Sequence, residues 1–243
     1  MRYETNQRLE LNDRAAELAE KFNACSAETV LETLFRDVFP GRVGIVSSFG
    51  AESGVTLHMA SRIDPYIPVI FLDTRKHFPE TISYRDELVE KLGLGNLQLV
   101  SPRPAVLEAE DPQGDLHASE PDRCCHVRKT IPMIQALRGI DCWITGRKRG
   151  QTAIRAALQL FEVQDRWIKV NPLFDWTAQD VQEYYHHHNL PPHPLVSHGF
   201  RSIGCAPCTR AVGKGEDARA GRWENSAKTE CGIHFEKGKL VRG

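Results

Sequence analysis

The sequence predicts an α/β fold, a parallel sheet covered by helices on both faces, and three observations predict it. Short apolar runs recur along the chain, they alternate with amphipathic stretches of helical length, and most runs end in a polar or glycine-rich segment. Residues 13–39 read as helix, with Ala15, Leu18, Ala19 and Phe22 on one face and a second stretch starting at Ser26, a suitable N-cap with Thr29 and Val30 behind it. Pro40-Gly41 stops it, and residues 43–49 then form a buried-strand pattern that turns into a helix over 52–61. The cycle repeats: strand 69–72, helix 79–92, strand 97–100, helix 122–138, strand 142–145, strand 167–170 and helix 177–189. Ligands of such sheets bind beyond the carboxyl ends of the strands. Segments 47–53, 73–78, 101–104 and 146–155 are therefore the candidate site.

At 243 residues the chain can bury one sizeable core. The expected organisation is one α/β domain over 1–212 followed by a flexible C-terminal tail over 213–243, where charged residues and Gly213, Gly215 and Gly221 replace apolar periodicity. No run approaches the ~18 apolar residues that span a bilayer. The polar start Met1-Arg2-Tyr3-Glu4 does not read as a secretion signal, so a cytoplasmic protein is expected. Residues 1–120 carry 12 Lys/Arg against 20 Asp/Glu, and residues 121–243 carry 19 against 12. A basic half in a near-neutral chain points to a local anionic ligand rather than to a coat of nucleic acid.

Seven cysteines in such a chain point to metal binding or catalysis rather than to a disulfide framework. Cys25 and Cys142 lie in apolar contexts and read as packing residues. Cys124 and Cys125 are adjacent, and 79 residues separate them from Cys205-Ala206-Pro207-Cys208. A thioredoxin-like dithiol is disfavoured because only 35 residues follow Cys208. Four thiolates from two segments suit zinc or a [4Fe–4S] cluster. An adjacent Cys-Cys is a poor zinc knuckle, whereas the iron corners of a cuboidal cluster are spaced widely enough for neighbouring residues, so the cluster is preferred. His186, His187 and His188 could be a metal tract, but cation-capable residues at a helix C-terminus are the simpler reading.

Two strand ends carry further signals. Ser47-Ser48-Phe49-Gly50-Ala51-Glu52-Ser53 offers small residues, hydroxyls and backbone N–H groups at the start of a helix, where a phosphate can approach. It resembles the PP-loop of the adenine nucleotide alpha-hydrolase-like proteins, usually Ser-Gly-Gly-x-Asp-Ser. Phe49 and Glu52 depart from that form and weaken a reading as an ATP-cleaving enzyme. Leu72-Asp73-Thr74 resembles the adenosine-contacting segment of the same group, the lesser alternative for Asp73 being a helix or turn cap.

The joint pattern is similar to that of the adenylyl-sulfate (APS) reductases within the PAPS/APS reductase family. It comprises Cys124-Cys125 followed by Arg128-Lys129, the Cys205/Cys208 pair, Thr145-Gly146-Arg147-Lys148-Arg149-x-Gln151-Thr152-x-x-Arg155, Leu190-Pro191-x-His193-Pro194-Leu195 and Glu230-Cys231-Gly232-Ile233-His234. The resemblance covers residues 43–235 and implies a PP-loop-type fold with the assimilatory, thioredoxin-dependent reduction of APS to sulfite and AMP. It implies Cys231 as nucleophile, a [4Fe–4S] cluster on Cys124, Cys125, Cys205 and Cys208, and thioredoxin or glutaredoxin as external donor. Substrate contacts would come from Ser47, Ser48, Phe49, Gly50, Glu52, Leu72, Asp73, Thr74, Lys129, Arg147, Arg149, Arg219 and Arg222. The Trp223–Cys231 spacing is slightly short for the family, which bears on the reach of Arg219 and Arg222. A homo-oligomer without nucleic-acid or membrane partners is expected. Rival readings are reduction of PAPS or of both nucleotides, a tRNA-thiolating PP-loop enzyme, and a nucleotide-binding module with a four-cysteine zinc site.

Overall fold

The computed structural model describes residues 2–224, 226, 228 and 230–234. The elements in order are α1 (Arg2–Lys21), α2 (Ala27–Thr33), β1 (Val43–Ser47), α3 (Ser53–Ile63), β2 (Val69–Leu72), α4 (Pro79–Leu92), β3 (Leu97–Val100), α5 (Pro104–Glu110), α6 (Leu116–Ser119), α7 (Pro121–Cys125), α8 (Ile131–Ala136), β4 (Cys142–Ile144), β5 (Phe161–Gln164), β6 (Trp167–Val170) and α9 (Ala178–His187). The strands form one sheet in the order β3-β2-β1-β4-β6-β5. Every neighbouring pair is parallel except β5–β6, which is antiparallel.

Strand side chains alternate between two cores, as a pleat requires. Val69 and Phe71, Cys142 and Ile144, and Ile168 and Val170 join a large core built with α1 to α4. Their neighbours Ile70, Leu72, Trp143 and Trp167 face the other way, onto Met133 and Leu137 of the α8 segment. Both faces are thus covered, which is why these strands are continuous apolar runs.

The predicted helix over 13–39 is two helices. Ala24, at φ 65°, breaks the chain before Ser26, whose Oγ accepts from Thr29 N at 3.2 Å, and the second helix ends in a π-helical turn, Leu34–Val38. Cys25 sits in this break and is exposed, so its reading as a packing residue is corrected, whereas Cys142 is fully buried. Helix α4 matches its prediction, with Pro79 at its start and Gly93 in the left-handed conformation at its end. The predicted helix over 122–138 contains a π-helical turn, His126–Thr130, between α7 and α8. Strand β5 was not foreseen: Phe161, Val163 and Gln164 are flanked by polar residues and too short to stand out. It pairs with β6 and packs against α1 and the residue after it, Phe22, whose ring lies 5.7 Å from that of Phe161.

The Leu190–Leu195 motif is a structural tie. His193 is fully buried, its Nδ1 accepts from Leu195 N at 3.2 Å, and its Nε2 therefore carries the proton facing Thr81 Oγ1 at 3.1 Å. Burial pushes its pKa from 6.5 down to about 4, against a smaller opposing pull from Glu80. Between those values the unfolded chain binds the proton and the folded chain does not, so this contribution is complete above pH 6.5 and is lost as pH falls toward 4. A His193→Gln chain should accordingly lose less stability than the parent over that acid interval in urea unfolding; parallel pH profiles would refute the assignment.

Candidate active site

In sequence β1 is followed by β2 and β3, but in the sheet its other neighbour is β4. This reversal opens a crevice beyond the carboxyl ends of β1 and β4, the position at which ligands bind in open α/β sheets. A cavity of about 300 Å³ lies there. Its walls are the loop after β1, the loop after β4, residues 201–204 and the C-terminal segment with Arg219, Arg222, Glu230 and Cys231.

The structure brings Ser47, Ser48, Gly50, Glu52, Leu72, Lys129, Arg147, Arg219, Arg222 and Cys231 to this one cavity. It does not bring Phe49, Asp73, Thr74 or Arg149 to its lining. Phe49, at φ 47°, turns its ring into the core edge-on to Phe71, while its N–H donates to Ser47 Oγ at 3.2 Å. Asp73 Oδ1 caps the turn by accepting from Arg75 N at 2.9 Å. Thr74 is buried with Oγ1 3.3 Å from Cys205 Sγ. Arg149 lies over the Phe174 ring and donates to Leu158 O at 2.8 Å.

Among the described residues seven cations line the cavity (Lys129, Arg147, Lys148, Arg155, Arg201, Arg219 and Arg222) against two carboxylates, Glu52 and Glu230. Lys148 Nζ meets Glu52 at 2.8 Å, and Gln151 Nε2 donates to the same carboxylate at 2.8 Å. Arg155 grips Glu230 with Nε and Nη2 at 2.5 and 2.7 Å, a bidentate pair. Arg147 pairs with Glu162 and donates to Asn171 Oδ1 at 3.3 Å. Lys129 and Arg222 have no carboxylate partner among the described residues. Arg222 Nε, Trp143 Nε1 and His234 Nδ1 are buried polar atoms without a hydrogen-bond partner among those residues. Such atoms are costly unless a ligand satisfies them.

Cys124, Cys125, Cys205 and Cys208 line a second, small enclosed cavity with Lys129, Arg222 and Trp223. Residues 205–208 are placed there by Ala206 N donating to Lys76 O at 2.7 Å and by a bridge between His77 and Cys205. Burial pushes the Cys124 thiol up to about 11, and it also raises Cys208, with Cys205 adding to it. His117 Nδ1, on the same wall, has no partner among the described residues. Three buried thiols and the half-buried Cys208 around one enclosed void fit an iron–sulfur cluster, which takes one thiolate per iron.

Cys231 stands at the junction of the two cavities. It is held well below the ordinary thiol range, first by a hydrogen bond from Cys125, then, against burial, by Lys129, the Ile233 N–H and Arg222. If Cys125 instead gives its proton to bind metal, only the cations and the backbone N–H hold the thiolate. Lys129 is correspondingly pushed up: burial opposes its charge, but Cys205, Cys231 and Cys125 more than compensate. His234 is half-buried, with its Nδ1 out of contact with solvent, and desolvation, then Lys169, Arg147 and Arg155, push its pKa down. It stacks on Trp143 with centroids 6.2 Å apart.

The C-terminal segment is laid along the body by Trp223 N donating to Cys208 O at 3.2 Å and by a bridge between Thr209 and Arg222. Gly204 makes room for Arg222: a Cβ there would collide with the guanidinium. Lys148, Arg155, Glu230 and Lys228 belong to the site or its support and were not singled out as site residues from sequence. Lys228 is buried, pairs with Asp122 on α7 and lies over the Trp223 ring. Lys148, Arg155 and Glu230 stand in the quoted motifs, whereas Lys228 carries no sequence signal.

The comparisons with known proteins fall on this geometry. Residues 42–211 match the phosphoadenosine phosphosulfate reductase domain, so the chain belongs to the PAPS/APS reductase family. Its relatives include an adenosine 5'-phosphosulfate reductase of Mesorhizobium japonicum, 50% identical over 85% of this chain and 81% of that protein. Another, of Streptomyces coelicolor, is 42% identical over 85% of this chain and 88% of that protein. Among solved structures, the phosphoadenylyl-sulfate reductase of Candida auris, in a phosphate complex, matches at TM-score 0.69 and 25% identity, covering 82% of this chain and 97% of that one. A Candida glabrata FMN adenylyltransferase matches at TM-score 0.54 and 16% identity, covering 96% and 89%, which shows the shared fold.

One buried ion pair supports both cavities. Arg128 Nη2 meets Asp111 Oδ2 at 2.5 Å, its Nη1 donates to Thr74 O at 2.9 Å, and Asp111 Oδ1 accepts from Leu116 N at 3.0 Å. Burial pushes the Asp111 carboxyl up, but the Leu116 N–H and Arg128 outweigh it and leave it below its usual range. Arg128→Met strands a buried carboxylate and should lower the unfolding free energy by about 3–5 kcal/mol. Adding Asp111→Leu to that variant should recover part of the loss in anaerobic denaturant titrations; two independent, additive losses would show the pair is not coupled.

Proposed function

We propose that the chain reduces adenosine 5'-phosphosulfate to sulfite and AMP through a Cys231 S-sulfonate, discharged by thioredoxin or a similar dithiol, in cytoplasmic sulfate assimilation. The observation that carries this reading is the placement of Cys231: its thiol shares with Lys129 and Arg222 one cation-lined cavity at the crevice where such sheets bind nucleotides.

The Cys231 thiolate attacks the sulfuryl sulfur, an S–S bond forms, and the bond from sulfur to the phosphate oxygen breaks. AMP leaves with that electron pair. A donor thiolate then attacks Cys231 Sγ, sulfite departs with the S–S electron pair, and the donor's second thiol resolves the mixed disulfide. Two electrons pass from dithiol to sulfur, and Cys231 returns as a thiol. Lys129 and Arg222 offset the repulsion between nucleophile and phosphosulfate, the Ser47–Ser53 loop seats the phosphate, and Arg219 closes the anionic end. Cys124, Cys125, Cys205 and Cys208 would hold a [4Fe–4S] cluster, whose contribution when bound is to fasten α7 to the 205–208 loop and polarise the neighbourhood of Lys129. The accompanying expectation of a homo-oligomer is read by sedimentation.

Intact mass of anaerobically purified protein after APS, and separately after PAPS, without thioredoxin, tests the reading. A sulfonate-sized adduct with APS is expected, absent in Cys231→Ser and removed by thioredoxin. An adduct formed faster with PAPS would move the substrate to the 3'-phosphorylated nucleotide, and no adduct with either would sink the covalent mechanism.

A further inference from the structure

Residues 231–234 form a turn closed by His234 N donating to Cys231 O at 3.1 Å. Its two central carbonyls are each taken by a buried side chain from a different element. Thr130, fully buried in the π-helical turn, donates its hydroxyl to Gly232 O at 3.0 Å. Gln164, buried at the end of β5, donates from Nε2 to Ile233 O at 2.7 Å. The amide cannot serve that carbonyl the other way round, because Oε1 accepts from the buried Lys169 Nζ at 3.0 Å. Neither residue lines the substrate cavity.

From this we infer that Thr130 and Gln164 form a latch that docks the Cys231 turn for attack on substrate and releases it to the thiol donor. Both are positioning residues, since they touch only the backbone of the turn. The choice of step rests on the reductase reading above; the docking itself does not. Each grip is one neutral hydrogen bond to a main-chain carbonyl, so the latch is breakable. Glu230, held by two charge-assisted bonds from Arg155, is the fixed end about which the turn swings. Gly232, next to the nucleophile, supplies backbone freedom for that swing.

The test uses anaerobically purified holoenzyme and the variants Thr130→Val, Gln164→Glu and Thr130→Ser. Valine keeps the volume without the donor, glutamate keeps the acceptor for Lys169 without the donor, and serine keeps the hydroxyl. Three rates are read: iodoacetamide alkylation of Cys231 by peptide mass, S-sulfonate formation in a single turnover at saturating APS, and discharge of the adduct by thioredoxin. Thr130→Val and Gln164→Glu should alkylate several-fold faster and sulfonate about five- to tenfold more slowly, the value of one hydrogen bond. Their AMP affinity and discharge should be undiminished, and Thr130→Ser should behave as the parent. Unchanged alkylation, unchanged sulfonation, slowed discharge, or a serine variant indistinguishable from valine overturns the latch. Should the parent form no adduct, the reductase reading fails separately, and alkylation alone decides: faster with serine rescue upholds docking by these residues, and unchanged rates overturn it.

Discussion

Cations crowd the cavity beyond the carboxyl ends of β1 and β4, and two of them, Lys129 and Arg222, are the constraint on which the rest of the site depends. The thiols of Cys124, Cys125, Cys205 and Cys208 line one cavity with Lys129 and Arg222, and the larger cavity, which the same two cations also line, holds Cys231. Without those two side chains a thiolate at Cys231 would face both the sulfur-rich void and any phosphosulfate with no counter-charge, in surroundings where charges are weakly screened. Three of the other five cations are already engaged. Lys148 serves Glu52, Arg147 serves Glu162, and Arg155 serves Glu230. These pairs make the lips and hinge of the crevice rigid.

The fold creates this meeting by ordinary means. Reversal of strand order at β1 opens the crevice, and α7 and α8 cross the opposite face of the sheet with the π-helical turn between them. An inserted residue of this kind re-aims the side chains that follow it, which is why such turns recur at functional sites. Cys124 and Cys125, just before the turn, line the sulfur cavity, while within the turn Lys129 lines both cavities and Thr130 reaches Gly232. Arg128, on the same turn, holds it to the end of β2 and to the loop at Asp111. A single short segment thus fixes the sulfur ligands, the bridging cation and the docked turn.

Much of this was legible in the sequence, and the limits have physical causes. Buried parallel strands are near-continuous apolar runs, so β1, β2, β3, β4 and β6 were readable, whereas β5, with Glu162 and Gln164 in four residues, carried no such run. Helix α4 announced both ends because Pro79 and Gly93 do their work locally. The break at Ala24 was hidden because a left-handed alanine has no sequence signature. Cysteine and arginine spacing brought most of the site residues to notice, but spacing cannot say which way a side chain points. Asp73, Thr74 and Arg149 lie near the crevice in sequence, yet each is turned toward a cap, the sulfur cavity or a neighbouring ring. Of the tail, residues 225, 227, 229 and 235–243 lie outside the described residues. From Arg219 to His234 the described residues lie against the body through hydrogen bonds and ring contacts that charge-rich sequence does not reveal.

The departures of the first loop from Ser-Gly-Gly-x-Asp-Ser acquire a physical meaning under the proposed reading. Phe49 uses a left-handed backbone to put its ring in the core, which pins the loop without occupying the cavity. Glu52 joins Lys148 and Gln151 from the loop after β4, so the two lips of the crevice are tied by a carboxylate that is itself neutralised. A polyphosphate would gain little there, since the nearest cation is spent on Glu52. Anionic charge on a ligand is drawn instead to the far end, where Lys129 and Arg222 have no carboxylate partner among the described residues and Arg222 Nε awaits an acceptor. The loop therefore seats the nucleotide while the unspent charge pulls its sulfuryl end to Cys231, and the orientation that the chemistry requires follows from where the chain has, and has not, paired its charges.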